Sequence, residues 1–394
     1  MKSETKKSFK IGSLCVFTYI TSYYMRNILS VSTPAMLESN RFNVELIGML
    51  SSVYFFVYAV GQLLNGVVGD IINPRKMVSA GIFICGVSSI LFASVQIKIL
   101  QIFLFALMGF SLSMLRGPLV KTISENTPSK HSKIICTFFS FAGFSGPLIA
   151  SLVAMFFDWR RTFIIAGTMG MLAGFAVYVL LGSFERKGYI TPPQKTKKAG
   201  LKSIFEVFKL NHFLFYITLG ALCEITSVAI SFWIPTYLTE MLNFRKETSN
   251  LIFSAMAIIK SIVPFLTLFL FFFFKEKDII MSRFSFFFAT LFILGVLFIS
   301  NRYINAVCIL MAQMALGTAS SLLWSIYIPS QRESGLVSTL NGVIDFSGYF
   351  IASLANILFV SVMNCFGWEG IIIIWCATAV TGLVMAIFTK QDTN

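Results

Sequence analysis

Six ionisable side chains interrupt otherwise apolar stretches of this 394-residue chain: Arg26, Arg116, Lys121, Glu224, Lys260 and Asp345. Arg26 lies within Ser22-Tyr23-Tyr24-Met25-Arg26-Asn27-Ile28-Leu29. A guanidinium buried in a bilayer costs roughly 2.5–3.5 kcal/mol on insertion scales, so it must face a partner, a watered cavity or an anion. Its planar, permanently charged fork matches a carboxylate or a phosphate. Glu224 adds a group that changes charge by taking a proton, and a nearby cation would tune that step. The chemistry on offer is anion binding with a proton in reach.

The elements that must hold these residues follow from composition. The chain is 56% hydrophobic and only 12% charged, with 43 phenylalanines and a mean hydropathy of +0.81. That is the balance of a membrane protein. A spanning helix needs about 20 mostly apolar residues. Twelve such segments are predicted, at about 10–34, 45–70, 77–96, 99–124, 134–157, 161–183, 213–240, 249–274, 281–300, 303–328, 336–364 and 368–389. Lys2, Lys6, Lys7 and Lys10 before the first resemble a signal-peptide start, but no small-residue cleavage site follows, so a retained helix is expected.

With twelve crossings both termini share a side. Loops on that side hold 20 Lys and Arg, and the opposite loops hold seven (Arg41, Lys98, Arg160, Arg161, Arg245, Lys246 and Arg302), which predicts cytoplasmic termini. The +14 net charge lies in these juxtamembrane loops, where topology and anionic headgroups account for it, and no nucleic-acid partner is expected. The stretch 184–212 carries seven basic residues and Pro192-Pro193, dividing the chain into halves 1–183 and 213–394 around a basic central loop. Leu201, Ile204, Phe205 and Phe208 have helical spacing there, as an amphipathic helix on the inner leaflet or as part of a solvated linker.

Helical rise sorts the buried charges. Arg26, Lys260 and Glu224 lie about 24, 21 and 16 Å from the inner ends of their helices, near midplane. Asp345 and Arg116 lie about 13 and 12 Å from theirs, which predicts a separate, lower layer. In the midplane layer Arg26, with Lys260, would hold an anion while Glu224 carries a proton; alternatively Glu224 neutralises Lys260 or Arg26 as a fixed pair. Tyr23, Tyr24 and Trp324 are amphipathic groups able to line the cavity or to pack. In the lower layer Arg116 and Asp345 would pair across the halves as a cytoplasmic latch, or Arg116 would pair with Asp70 or Glu125. Glycines and prolines at Gly109, Gly117, Pro118, Gly143, Gly146, Pro147, Gly342 and Gly348 permit close packing and bending.

Enzyme chemistry finds no support. The sequence has no Ser-His-Asp set and no nucleotide loop. His131 and His212 fall in predicted loops, and seven scattered cysteines suggest neither disulfide nor metal. No cofactor is expected.

Gly66-Val67-Val68-Gly69-Asp70-Ile71-Ile72-Asn73-Pro74-Arg75-Lys76 resembles the signature loop of the major facilitator superfamily. Its Asn-Pro-Arg ending is similar to the organophosphate:phosphate antiporter branch, though Ile71 replaces the usual first arginine. Arg26 after Tyr23-Tyr24 resembles that branch's helix 1 phosphate motif. Trp233-Ile234-Pro235-Thr236-Tyr237-Leu238, Phe346-Ser347-Gly348-Tyr349 and Phe366-Gly367-Trp368-Glu369-Gly370 are similar as well. The resemblance implies an all-α fold of twelve transmembrane helices in two six-helix halves, with Asp70, Arg75 and Lys76 as a conformational element of the inner face.

Two departures bear on function. The branch's second arginine, six residues before the tryptophan, is Ser227 here, and its helix 2 lysine is Gln62. A monoanionic carboxylate needs one positive group, whereas a phosphate dianion is better held by two. The leading expectation is a secondary transporter of a small organic anion by proton symport or exchange, acting as a monomer in the plasma membrane. Next come a sugar-phosphate or glycerol-phosphate antiporter, with Lys260 as the second charge, and then a sensor on a transporter scaffold. A lipid-modifying enzyme ranks last.

Overall fold

The computed structural model describes residues 2–39, 41–191, 200 and 202–391. Pro192, Pro193, Lys195, Lys197, Lys198 and Leu201 lie outside the described residues, as do the side chains of Ser227, Trp233 and Pro235.

Every predicted span falls on a helix. In chain order these are α1 (Lys2–Glu38), α2 (Val44–Ile71), α3 (Pro74–Ser94), α4 (Lys98–Ser113), α5 (Arg116–Asn126), α6 (Ser129–Phe156) and α7 (Trp159–Arg186). After a five-residue α8 (Ser203–Val207) come α9 (Phe213–Glu240), α10 (Lys246–Phe273), α11 (Asp278–Phe298) and α12 (Arg302–Ser321). A π-helical turn (Leu322–Tyr327), the short α13 (Ile328–Ser330) and a 3₁₀ turn (Gln331–Ser334) lead to α14 (Val337–Phe388). Among the described residues nine helical segments meet the length and hydropathy of a membrane span.

Asn and Asp caps set several boundaries. Asn43, Asn73, Asp158 and Asn301 accept from the backbone N–H of Leu46, Arg75, Arg161 and Tyr303, supplying partners that a helix start lacks. α1 begins eight residues before the apolar run, as its lysine-bearing first turns continue the same helix. His131, expected in a loop, lies in the first turn of α6 and hydrogen-bonds Ser8 at 2.9 Å.

Three irregularities have sequence causes. The fourth span is broken between α4 and α5, because Pro118 has no N–H for the Met114 carbonyl and its ring crowds that oxygen. Pro329 does the same to Ser325, and the preceding turn widens to a π-helix. Gly367 separates the last two spans within α14 at φ 61°, ψ −153°, a backbone state effectively restricted to glycine.

The chain divides into two compact units, Met1–Leu210 with Ile328–Phe346, and Asn211–Tyr327 with Ser347–Asn394. In the first, small residues let helices touch backbone to backbone. A side chain at Gly86 would meet the Gly167 carbonyl at 2.6 Å, and Ser89 donates to the Phe163 carbonyl at 2.8 Å, locking α3 to α7. Gly146 likewise brings α6 onto α1 at Tyr23. In the second, Phe271, Met281, Leu322 and Ile326 form a buried cluster. Arg283 on α11 donates to the Ala386 and Thr389 carbonyls at 2.8 and 2.7 Å, closing the free end of α14. Large apolar side chains such as Phe56, Phe103, Phe156, Phe175 and Phe269 stand exposed on the helix flanks, as lipid contact requires.

Candidate functional site

In the first unit, α1 presents Tyr19, Tyr23 and Arg26 on one face, since residues three and four apart align on a helix. The Arg26 guanidinium is half-buried. It stands 5.5, 5.3 and 4.9 Å from the ring centres of Tyr23, Phe55 and Tyr58, the last two supplied by α2. Such an aromatic box holds a cation by ring electrostatics. Tyr24, expected beside Arg26, turns the other way. Two residues of separation put it on the opposite face, where it is 1% exposed and its hydroxyl lacks a protein partner.

Arg116 begins α5, directly after the break that Pro118 causes. Its Nη1 pairs with Asp345 Oδ1 at 3.2 Å, with side chains 16% and 6% exposed. Asn341, one turn earlier on α14, donates to Asp345 Oδ2 at 2.9 Å. The Asp345 carboxylate also interacts electrostatically with Arg26, and Arg116 with Tyr19, Tyr23 and Tyr58. Two arginines and one carboxylate thus share one aromatic surround, where helical rise alone predicts two layers. The reason is side-chain direction. Long side chains lean toward the N-terminus of their own helix, and α1 and α5 run oppositely, so Arg26 and Arg116 converge.

Asp70, Arg75 and Lys76 lie apart from this cluster. The Asp70 carboxylate accepts from the N–H of Ser338 (3.1 Å), the N–H of Thr339 (2.8 Å) and the Thr339 hydroxyl (2.6 Å), capping α14. Lys121, 4% exposed, pairs with it at 3.2 Å and donates to its backbone carbonyl at 3.0 Å. Lys121, which also reaches Glu125 at 4.0 Å, therefore takes the role that was open to Arg116. Gly66 admits α14, because a side chain there would meet the Ser338 carbonyl at 2.9 Å and Gly342 Cα at 3.0 Å.

Arg75 stacks on Tyr178 at 3.9 Å, donates to its carbonyl at 2.9 Å and pairs with Glu185 at 3.4 Å. Asn73 also donates to Glu185, at 2.7 Å. Lys76 is exposed.

In the second unit, Glu224 on α9 is half-buried and interacts electrostatically with Lys260 on α10. Lys260 sits near the middle of α10. Gly348 faces Glu224, leaving 3.4 Å to its Cγ for an added side chain. Trp324 sits half-buried on the π-helical turn. At the far end of α9, Tyr237 donates to Asn305 at 3.0 Å, and the Trp368 indole donates to Glu240 at 3.2 Å.

Sequence reasoning passed over Tyr19, Phe55, Tyr58, Asn341, Lys121 and Glu185 as site residues. For Tyr19 the signal was present, seven residues before Arg26 on one helical face. Phe55 and Tyr58 carried only a shared i, i+3 face on a different span.

Comparison with known proteins places the chain. The Major Facilitator Superfamily pattern matches residues 15–353. The glycerol-3-phosphate transporter of Bacillus subtilis is 23% identical over 59% of this chain and 57% of its own length. The membrane sensor protein UhpC of Salmonella typhimurium is 24% identical over 59% and 57%. The chain thus spans less than two thirds of these relatives. A bacterial homologue of iron transporter ferroportin, solved in an outward-facing state, superposes with a TM-score of 0.77 at 13% identity, covering 96% of this chain and 98% of that one, a likeness of fold. Twelve predicted spans that fall on helices, the Gly66–Lys76 loop and the extent of the match lead to one assignment: the chain is a multi-pass membrane protein of the Major Facilitator Superfamily.

Proposed function

We propose that this protein is a secondary active transporter of a small organic anion, working by alternating access with proton coupling or exchange. The observation that carries the reading is Arg26, a guanidinium within a membrane span, boxed by Tyr23, Phe55 and Tyr58. A charge so costly to place there is retained where it meets a charged ligand. Trp324, Lys260 and Tyr23 complete the substrate-binding set, with Tyr24 supporting it from behind. Glu224 carries a coupled proton. Arg116, Asp345, Asp70, Arg75 and Lys76 work as the cytoplasmic gate. The chain acts as a monomer in the plasma membrane with both termini cytoplasmic, as the Lys and Arg bias supports.

A second reading is exchange of phosphate esters, favoured by the relative that is a glycerol-3-phosphate transporter. A sensor reading rests on the relative named a membrane sensor protein. Proteoliposomes separate the three. Accumulation of a labelled carboxylate under an imposed pH gradient supports the first, and phosphate-loaded exchange of glycerol 3-phosphate supports the second. Binding without transport supports the sensor. In the transporting cases Arg26→Lys is expected to raise the apparent KM about tenfold or more, since the planar fork is lost, and Arg26→Ala to abolish uptake while the protein still inserts. Normal uptake by Arg26→Ala refutes the anion site.

A further inference from the structure

We propose that Asp345 is the resident anion of a two-arginine site, displaced by an incoming oxyanion and neutralised by one proton as it leaves. The inference rests on the anion-transport reading and assigns a proton, distinct from the one on Glu224, to a carboxylate that pairs with Arg116.

The geometry supplies each part. Asp345 Oδ1 occupies Arg116 at 3.2 Å, and the same carboxylate lies in the field of Arg26. Arg26 and Arg116 both face Tyr23 and Tyr58. The groups facing Asp345 are Arg26 and Tyr19 from α1, Arg116 from α5 and Asn341 from its own helix. Asn341 Nδ2 donates to Oδ2, while Asn341 Oδ1 is buried and has no protein partner. That oxygen is placed to accept from a protonated Asp345 after a modest rotation.

A substrate oxyanion bound between the arginines puts a second negative charge beside Asp345, and two carboxylate-like groups at one site do not both stay ionised. The proton comes from bulk solvent and adds to one carboxylate oxygen, leaving the arginines to the substrate. One anion and one proton then enter together, and both leave when the anion departs.

The test uses the full-length protein in detergent, with sodium sulfate as probe because sulfate stays a dianion from pH 5.5 to 8.5. Sulfate binding is read by thermal shift at constant ionic strength, and proton uptake by a dye in weak buffer. Expected are about one proton taken up per sulfate, and an apparent Kd that rises up to about tenfold per pH unit above the titration of Asp345. Asp345→Asn should bind sulfate at every pH without taking up a proton, at least about tenfold tighter than wild type at pH 8. Asp345→Glu should restore the pH dependence. Sulfate binding by wild type without proton uptake overturns this inference alone and leaves the transporter reading standing. Should Asp345→Asn not fold, the wild-type proton count still decides. Failure of sulfate to bind wild type and Asp345→Asn alike overturns both.

Discussion

Two carboxylates meet the amino-terminal part of α14 in the same unit, and they are held in different ways. Asp70 is saturated, with two backbone N–H groups, a hydroxyl and a lysine around it. Asp345 pairs with the Arg116 guanidinium, accepts from the Asn341 amide and lies in the field of Arg26. The two points lie six to seven residues apart, about 10 Å along the helix. A carboxylate whose acceptor capacity is filled by groups of its own fold is a fixture. One that shares arginines with an accessible aromatic box is exchangeable. The lesson is to ask of a buried charge how completely it is satisfied, and by whom.

The strongest way to break this contrast is to remove the fixture. Asp70→Ala leaves Lys121 buried without its carboxylate and the α14 start uncapped, and should destabilise by about 3–5 kcal/mol. A fall in melting temperature checks it, and Lys121→Met in the same chain should recover part of the loss. Next is the Arg116–Asp345 pair, in its role as gate. Each single neutralisation should raise the reactivity of a cytoplasmic-side cysteine reporter toward an impermeant thiol reagent, and the charge-swapped double should restore part of the closed population. Simply additive effects would show that the two are not partners.

A smaller effect is expected in the second unit. Glu224→Gln should preserve substrate counterflow, and loss of pH-driven accumulation in that variant would assign coupling to Glu224. Retained accumulation would leave coupling to Asp345. The smallest effect belongs to Lys76, which is exposed. Lys76→Ala should shift stability by under about 0.5 kcal/mol.

The fold was legible because long apolar runs have few other meanings, and all twelve runs became helix. The Gly66–Lys76 loop also announced a close approach, which Gly66 and Asp70 make against α14. Pairing was less legible. Lys121 and Arg116 sit on one short helix and compete in sequence for the same acids, and only their angular positions assign Asp70 to the first and Asp345 to the second. Counting rise along each helix separated Arg26 from Asp345, because it ignores which way a long side chain leans. Of the two tyrosines able to line a cavity or to pack, Tyr24 is the fully buried one, a difference that adjacency in sequence does not reveal.

The π-helical turn at Leu322–Tyr327 has a consequence for how this span tolerates insertion and deletion. Such a turn is the trace of one surplus residue absorbed inside a helix. Removing a residue within it restores ordinary winding and leaves α13 in phase, whereas the same deletion in α12 swings every upstream side chain by about 100° relative to those that follow. Trp324 therefore stands on the part of its span where length is most negotiable, and a change of one residue there re-aims the indole without rewriting the rest of the helix.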